Sequence, residues 1–230
     1  MKTTHEIETG KGKCFLSGKL KHKSAEKGGR SRIQTENRTA ILRAALDVFS
    51  SDGYRGATLD RIAERAGMSK TNMLYYFPSK DDIYRVALEQ TVQNWLEPFD
   101  QIQEDGDPIE ELRKYITLKL QISLENPESS RLFANEIQRG APLMGEFLRT
   151  NLRVMVDEKV KVIPAWIDQG KLAPIDPHHL IFTIWATTQH YADFEAQIEA
   201  LMPGQPDKSG FYDQTSNAIL SIILNGIQPR

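Results

Sequence analysis

Apolar side chains recur at helical spacing along most of the chain after residue 35. In the first such segment, residues 36–51, they fall on one face of a predicted helix and are Ile41, Leu42, Ala45, Leu46 and Phe49. Later segments, up to residue 227, are separated by stretches rich in Gly, Pro and Asp, which are typical of loops. No two segments show the alternation of apolar and polar residues that a pair of β-strands requires. The pattern predicts an all-α protein, with three short helices and about six longer ones.

Loop residues set the boundaries of the later helices. GKLAPIDP (170–177) contains two prolines, and MPGQPDKSG (202–210) is a second loop of the same type. Between such breaks the apolar spacing predicts helices at about 81–104, 108–126, 127–139, 142–168, 178–200 and 211–227. Pro98 lies within the first of them, where a bend is expected.

Residues 58–80 have the pattern of two short helices joined by a tight turn. The first helix has a buried face that is formed by Leu59, Ile62, Ala63 and Ala66. Gly67 ends this helix, because only glycine takes a left-handed cap without steric cost. Ser69 can cap the second helix with its hydroxyl, which accepts a free N–H of the first turn. Pro78 ends the second helix, and Ser79 is placed to cap the next one.

The second short helix has one apolar and one polar side. Met73 and Phe77 are four residues apart and are predicted to face inward. The outward side is formed by Lys70, Thr71, Asn72 and Tyr75. Small hydrogen-bonding groups on an exposed helix are what base recognition in a major groove requires. We interpret residues 58–80 as a helix-turn-helix that reads DNA; the alternative is an ordinary pair of packed helices with a polar exterior.

Charge is distributed unevenly and supports the DNA interpretation. Residues 1–80 carry 16 Lys and Arg against 8 Asp and Glu, whereas residues 81–230 carry 13 against 23. Such asymmetry indicates a basic end that faces DNA and an acidic remainder. Residues 1–34 are basic, polar and without clear periodicity, so we predict a disordered arm there. The arm is either a solvated tail or an additional contact to DNA, as basic arms are in homeodomains.

The remaining chemistry of the chain argues against catalysis. There is no Walker-type loop, nucleophile elbow or clustered Cys/His set in the sequence. His190 and Asp193 are three residues apart, but two metal ligands without a third are a weak signal, and a structural or pocket-lining pair is favoured. Cys14 is the single cysteine, which excludes a disulfide framework. Without a disulfide framework the cytosol is the expected compartment, and no apolar run is long enough to span a membrane.

Trp185 and Gln189 are four residues apart on the apolar helix predicted at 178–200, so they share a face. A buried amide needs hydrogen-bond partners, and glutamine offers both a donor and an acceptor. A flat indole beside such an amide suits a small planar molecule with adjacent N–H and C=O groups, as in uracil or thymine. On the residues alone, Trp185 is more often a core residue than a platform for a ligand, and both interpretations stay open.

The chain resembles the TetR family of repressors. The resemblance rests on the amphipathic helix followed by T-x-x-x-I-A (58–63), G-M-S-K (67–70) and Y-F-P-S-K (76–80). It extends to the members that regulate pyrimidine utilisation, through SKTNMLYYFPSK (69–80), GKLAPIDPHHLIF (170–182) and IWATTQHYADF (184–194). It covers residues 36–230 and so includes the ligand domain, which usually diverges in the family.

This resemblance implies two domains and a set of DNA contacts. The domains are a helix-turn-helix DNA-binding domain (35–80) and a C-terminal ligand-binding and dimerisation domain (81–230), and they follow the disordered basic arm (1–34), which is predicted from composition alone. Thr58 and Lys80 are implied to bind backbone phosphates of double-stranded operator DNA, and the base edges would be approached by Lys70, Thr71, Asn72 and Tyr75. Leu74 stands where many members have a tyrosine that contacts phosphate, which shifts that role to Tyr75 or Tyr76.

The resemblance further implies a homodimeric repressor without a cofactor, which is released from DNA by uracil or thymine. Trp95 and Phe133 would complete an apolar enclosure for the effector together with Trp185 and Gln189. The helices at 178–200 and 211–227 would pair with their copies in a four-helix bundle, with Ile184, Ile219, Ile222 and Ile223 at that interface or in the core beneath it. The alternative is a TetR-type repressor for a small apolar effector, such as a drug or an acyl thioester.

Overall fold

A computed structural model of the chain describes residues 25–204 and 208–229, and over these ranges every regular element is a helix. This confirms the all-α prediction for the described part of the chain. None of the helices in these ranges combines the length and the hydropathy needed to cross a membrane. The helices are α1 (Ala25–Gly56), α2 (Leu59–Arg65), α3 (Lys70–Tyr76), α4 (Lys80–Asp100), α5 (Pro108–Glu125), α6 (Pro127–Gln138), α7 (Gly145–Phe147), α8 (Arg153–Lys159), α9 (Val162–Asp168), α10 (Pro177–Asp193), α11 (Glu195–Leu201) and α12 (Lys208–Ile227), and a π-helical segment, Leu148–Leu152, joins α7 to α8.

The chain divides into two compact units between Glu36 and Asn37. In the first unit the described residues belong to the start of α1, where Arg32 forms an ion pair with Glu36 (3.3 Å). The prediction of a disordered arm at 1–34 is therefore wrong for residues 25–34, which are helical. Extending an existing helix costs less than nucleating one, so residues that flank an amphipathic segment are readily added to it. Residues 1–24 of the predicted arm lie outside the described residues.

Hydroxyl side chains cap α2 and α3, and the cap of α3 is the predicted Ser69. Thr58 Oγ1 accepts a hydrogen bond from Arg61 N (3.3 Å), and Ser69 Oγ accepts one from Asn72 N (3.2 Å). Gly67, between the two helices, has a φ of +68°, which a residue with a Cβ rarely adopts. The boundaries of the two short helices are thus set by interactions between residues that are close in the sequence.

The first three helices pack against the start of α4. Ser79 Oγ accepts a hydrogen bond from Asp82 N (3.1 Å), so α4 begins where the sequence predicted. Tyr84, one turn into α4, meets Phe49 edge-on with ring centroids 5.0 Å apart and Tyr54 with centroids 4.8 Å apart. Through these rings the small core of α1–α3 continues into the core of the later helices.

Helix α5 lies among the helices of the larger core. It packs against α4, α6, α10 and α12, and its buried face includes Leu112, Tyr115, Ile116, Lys119, Leu120 and Ser123. Burial that recurs at three and four residues is the pattern of a core-facing helix. Because α5 touches both α4 and α10, it brings side chains of those two helices close to a shared surface.

The helix predicted at 142–168 is broken in the structure. Helix α8 ends at Lys159 and the chain resumes as α9 at Val162. Pro164 accounts for the break, because a proline inside a helix lacks an N–H and clashes with the carbonyl four residues earlier. In the first turn of a new helix, where Pro164 lies, the missing N–H leaves no hydrogen bond unmade.

The helix predicted at 178–200 is likewise two helices. Helix α10 ends at Asp193 and α11 begins at Glu195, because Phe194 between them has non-helical backbone angles (φ −117°, ψ 32°). The break coincides with a contact to a distant residue, since Ser130 Oγ donates a hydrogen bond to Asp193 Oδ1 (2.5 Å). The segment contains no Gly or Pro, so its local pattern gave no sign of an end.

Candidate functional site

Helix α3 has the predicted buried and exposed sides. Met73 and Phe77 are 0% and 1% exposed and belong to the core. The side chains predicted to approach bases are exposed, with Tyr75 at 74%; we call this set the reading face, and it consists of Lys70, Thr71, Asn72 and Tyr75. A short helix that is anchored on one side and polar on the other can enter a major groove.

Basic side chains near the reading face are paired with aspartates. Lys70 Nζ lies 3.0 Å from Asp60 Oδ2, and Arg65 Nη2 lies 2.7 Å from Asp47 Oδ2. Arg61 forms a similar pair with Asp52. Exposed ion pairs of this kind contribute little to stability, so their cations can exchange a carboxylate for a phosphate.

The two tyrosines at the end of α3 differ in their surroundings. Tyr76 is half-buried, and its hydroxyl accepts a hydrogen bond from Asn37 Nδ2 (2.8 Å). Tyr75 points away from the core, with its ring edge-on to that of Tyr76 at 5.3 Å. Because Leu74 replaces the tyrosine that contacts phosphate in many family members, Tyr75 and Tyr76 were the two candidates for that contact. Of these two, Tyr75 has the exposed side chain.

Lys80 has structural partners that the sequence did not reveal. Its Nζ donates hydrogen bonds to the carbonyl oxygens of Tyr54 (2.8 Å) and Ala57 (3.0 Å) and lies 4.5 Å from the Tyr54 ring centroid. The Tyr54 hydroxyl in turn donates to Asp81, and burial together with this carboxylate raises the pKa of Tyr54 to about 12. Lys80 therefore satisfies carbonyls around the end of α1, and one of its three donors is left for a phosphate.

Trp95 and Phe133, which the resemblance placed in a ligand site, are in contact. Their ring centroids are 5.1 Å apart and the rings are nearly perpendicular at 88°. Trp95 comes from α4 and is 5% exposed, and Phe133 comes from α6 and is half-buried. These two rings thus bring α4 and α6 into contact at this point.

Trp185 meets a residue that the sequence analysis missed. Its Nε1 donates a hydrogen bond to the Tyr115 hydroxyl (2.7 Å), and Tyr115 is 1% exposed. Burial raises the pKa of Tyr115. Gln189, one turn after Trp185, is half-buried, and its amide has no hydrogen-bond partner among the residues that the structure describes. We call Trp95, Tyr115, Phe133 and Trp185 the aromatic cluster.

Lys119 is a second residue that the sequence analysis missed. It is 1% exposed, and its Nζ lies 4.2 Å from the Trp95 ring centroid and 3.2 Å from Ser123 Oγ. Burial lowers the pKa of Lys119 to about 7, and the charge of Asp193 partly opposes that shift. Helical periodicity could have found this lysine, because Tyr115, Lys119 and Ser123 follow one another at four-residue spacing on the apolar face of α5.

Helix α5 thus connects the two halves of the predicted ligand site. Lys119 touches Trp95, and Tyr115, one turn earlier, touches Trp185. Gln189 lies one turn beyond Trp185 on α10, and Phe133 lies beyond Trp95 on α6. Trp95 and Trp185 are therefore connected through side chains of α5. The predicted ligand site thus involves four helices, α4, α5, α6 and α10, whereas the residues predicted from the sequence come from α4, α6 and α10 only.

His190 and Asp193 have separate surroundings. The His190 ring stacks on Phe194 at 4.9 Å and is exposed, whereas Asp193 accepts the Ser130 hydrogen bond. Burial raises the pKa of Asp193, and that hydrogen bond opposes the shift. Within the described ranges, no group of three or more His, Cys, Asp or Glu residues is placed to hold a metal ion.

Two known protein families match the chain. The family described as "Bacterial regulatory proteins, tetR family" matches residues 41–87, and the family described as "YcdC-like protein, C-terminal region" matches residues 88–230. The chain therefore belongs to the TetR family of DNA-binding transcriptional regulators and is a regulator, not an enzyme. Members of this family bind DNA and commonly act as dimers.

Individual relatives agree with this assignment. The chain is similar to the HTH-type transcriptional regulator RutR of Escherichia coli strain K12, with 48% identity over 203 residues, 88% of this chain and 96% of RutR. It is also similar to the HTH-type transcriptional repressor NicS of Pseudomonas putida, with 27% identity over 146 residues, 63% of this chain and 68% of NicS.

Solved structures show the same fold at low sequence identity. The ketosteroid transcriptional regulator KstR2 of Mycobacterium tuberculosis has a TM-score of 0.62 and 20% identity, over 84% of this chain and 95% of KstR2. A TetR family regulator of Marinobacter aquaeolei has a TM-score of 0.67 and 17% identity, over 87% of this chain and 100% of the other. The predicted order, an N-terminal helix-turn-helix domain followed by a helical domain, is confirmed.

Proposed function

We propose that this chain is a homodimeric repressor of pyrimidine-metabolism genes, which acts in the cytoplasm and leaves operator DNA when it binds uracil or thymine. The observation that carries the proposal is the Gln189 amide, which forms no hydrogen bond within the described ranges, remains accessible, and lies one turn after Trp185 of the aromatic cluster. A pyrimidine ring has flat faces for the aromatic side chains and an edge of N–H and C=O groups for the amide. The resemblance to regulators of pyrimidine utilisation supports the same ligand.

The proposed DNA contacts follow the reading face and its flanks. Residues 35–80 would form the DNA-binding domain and residues 81–230 the ligand-binding and dimerisation domain. The reading face would meet base edges in the major groove, while Thr58, Tyr75 and the remaining donor of Lys80 would bind phosphates. Tyr76, which the resemblance also offered for phosphate, instead supports the position of α3 through its bond with Asn37.

Exposed apolar side chains on α10 and α12 support the proposed dimer. Ile222 on α12 is 75% exposed and Phe182 on α10 is 51% exposed, although both helices also contribute to the core. Ile184, Ile219 and Ile223 are buried within the protomer and so belong to the core beneath such an interface. Pairing α10 and α12 with their copies would cover the exposed side chains and place two reading helices on successive major grooves, about 34–36 Å apart.

The proposed switch uses α4, because this helix connects the reading helix to the aromatic cluster. It begins at Lys80, three residues after Phe77, and carries Trp95 in its fifth turn. A pyrimidine that enters the closed cluster must displace the Trp95 ring or its neighbours and thereby tilt α4. For release to occur, the ligand must bind the DNA-free arrangement more tightly, and couplings of about 1–3 kcal/mol are typical.

Calorimetric titration of the purified protein with uracil, thymine and cytosine tests the proposed effector. We expect heat and thermal stabilisation with uracil or thymine and a weaker response with cytosine, whose exocyclic amine replaces a carbonyl oxygen. Absence of binding for all three would refute the pyrimidine assignment and leave the DNA-binding assignment intact. An apolar drug or acyl thioester is the second candidate effector, and it would bind equally well when Gln189 is replaced by leucine.

A further inference from the structure

Lys119 is the buried cation of the aromatic cluster, and it has fewer partners than a buried ammonium requires. Its side chain is 1% exposed, yet within the described ranges its ammonium donates one hydrogen bond, to Ser123 Oγ (3.2 Å). No carboxylate among the described residues forms an ion pair with it, since the nearby Asp193 is committed to Ser130 at 2.5 Å. The Trp95 ring, 4.2 Å from Nζ, takes the place of a hydrogen-bond acceptor.

A purely structural role does not explain this lysine. Burying a charge is unfavourable unless it is paired and hydrogen-bonded, and a well-packed apolar side chain of similar length is then at least as stabilising. Lys119 has two further N–H donors that Ser123 does not use. The other buried positions of α5 are apolar or carry a polar group with its own partner, as Tyr115 does with Trp185 and Glu111 does with Lys114. A buried group that the fold does not need is a candidate for ligand recognition.

We propose that Lys119 binds the effector, by donating a hydrogen bond to a carbonyl oxygen of a planar ring seated on Trp95. The inference rests on the function proposed above and deepens it, because it names the chemical feature that the site selects. A ligand ring that stacks on the face of Trp95 would displace the Lys119 ammonium from that face to the edge of the ligand. There a carbonyl oxygen of the ligand would accept a hydrogen bond from Lys119 in place of the contact with the Trp95 ring. Gln189 would then bind a second edge, and ligands without a suitably placed oxygen would leave the ammonium unpaired.

The proposal carries a pH dependence with a definite sign. Burial lowers the pKa of Lys119 to about 7, and an acceptor oxygen in the complex favours the charged form and raises it again. Below pH 7 the lysine is charged with or without ligand, so affinity is independent of this group there. Above pH 7 binding requires proton uptake, and affinity falls by up to about tenfold per pH unit until the pKa of the complex is passed.

Few charged groups from the helices packed around Lys119 act on it. Asp193 of α10 is the charge that acts on its pKa. Arg131 of α6 and His190 of α10 act on Asp193 and not directly on Lys119. Helix α4 contributes the Trp95 ring, and no charged group of α4 or α12 within the described ranges acts on the pKa of Lys119.

Uracil titration of the full-length protein at pH 6, 7, 8 and 9 tests the proposal, with Lys119→Met compared with wild type. We expect the variant to bind uracil on the order of 10- to 100-fold more weakly at pH 6 and to lose the decline above pH 7. Its thermal unfolding temperature should equal or exceed that of wild type, because an under-paired buried charge is removed. Lys114→Met is the matched control, since Lys114 lies on the same helix but is exposed and paired with Glu111 (2.8 Å).

The outcomes separate this inference from the proposed function. If wild type binds uracil and Lys119→Met binds it within about twofold with the same pH profile, the role of Lys119 is refuted and the pyrimidine effector stands. A variant that unfolds at a lower temperature while binding uracil normally would show that Lys119 is structural. If wild type does not bind uracil, the proposed function and the inference fall together. 2-Thiouracil and 4-thiouracil identify the oxygen, because the analogue with sulfur at that position should lose affinity in wild type but not in the variant.

Discussion

The helix-turn-helix and the aromatic cluster place their polar side chains in opposite environments. On the reading face, Lys70 and its neighbours are exposed, and the nearby cations pair with aspartates of α1 and α2. In the aromatic cluster, Tyr115 and Lys119 are 1% exposed, and their partners come from α4, α5 and α10. Water screens the charges of the reading face but is excluded from Tyr115 and Lys119. Removal of one polar group should therefore change the binding free energy more in the aromatic cluster than on the reading face.

The difference suits the two proposed tasks, DNA recognition and effector binding. DNA carries many phosphates, so a DNA-binding surface works through several weak, exchangeable contacts that salt can compete away. A small effector offers only a few atoms, so each buried contact must contribute more. We therefore expect single substitutions to matter most in the cluster and least among the exposed ion pairs.

The largest effect is expected from Gln189→Leu, which keeps the size of the side chain and removes its donor and acceptor. A pyrimidine edge would then face an apolar group, and uracil affinity should fall by about 1.5–3 kcal/mol. Calorimetry measures this loss, and operator binding without uracil should remain as in wild type. Unchanged uracil affinity would remove the amide from the account and favour an apolar effector.

Asn72→Ala should change which DNA sequences are bound. A side chain that pairs with a base edge contributes about 1–3 kcal/mol of discrimination, whereas a phosphate contact weakens all sites about equally. Selection of binding sequences from a random pool, for wild type and variant in parallel, measures the change. Thr58→Val is the comparison, because loss of a phosphate contact should preserve the preferred sequence. If Asn72→Ala selects the wild-type sequence, Asn72 does not read a base.

Ser69→Ala removes the cap of α3 and should destabilise the helix-turn-helix by about 1 kcal/mol. Its hydroxyl accepts the Asn72 N–H at 3.2 Å, and without it the first turn of the reading helix frays. Urea unfolding and operator affinity should both decline. Ser69→Asp, which retains a capping oxygen, should restore stability, and a failure of that variant to do so would show that the hydroxyl acts in another way.

Asp60→Asn should have the smallest effect and the opposite sign. It removes the charge that holds Lys70 at 3.0 Å and so leaves that ammonium available for DNA. An exposed pair is worth about 0.2–1 kcal/mol, which limits the gain in operator affinity to roughly fivefold. Fluorescence anisotropy at two salt concentrations measures it. Asp105→Asn makes the same change of charge in an exposed loop after α4, and an equal gain from that control would mean that only net charge matters.

The comparison also explains what the sequence could predict. The caps at Thr58, Ser69 and Ser79 involve residues three apart, so residue order shows them directly. In contrast, the break at Phe194 and the partners of Lys80 depend on side chains that are distant in sequence or on carbonyls that no pattern displays. Lys119 is an intermediate case: its four-residue spacing from Tyr115 and Ser123 matches the buried face of α5, but lysine is almost never fully buried, so its residue type favours exposure.

The central claim is that a pyrimidine in the aromatic cluster controls the reading face through α4. Fluorescence anisotropy tests it most directly, with labelled DNA that the protein itself has selected from a random pool. Saturating uracil should weaken wild-type DNA binding by about 5- to 150-fold, the range of typical couplings, while Gln189→Leu should stay bound. DNA affinity that is the same with and without saturating uracil, in a protein that binds uracil by calorimetry, would contradict the claim.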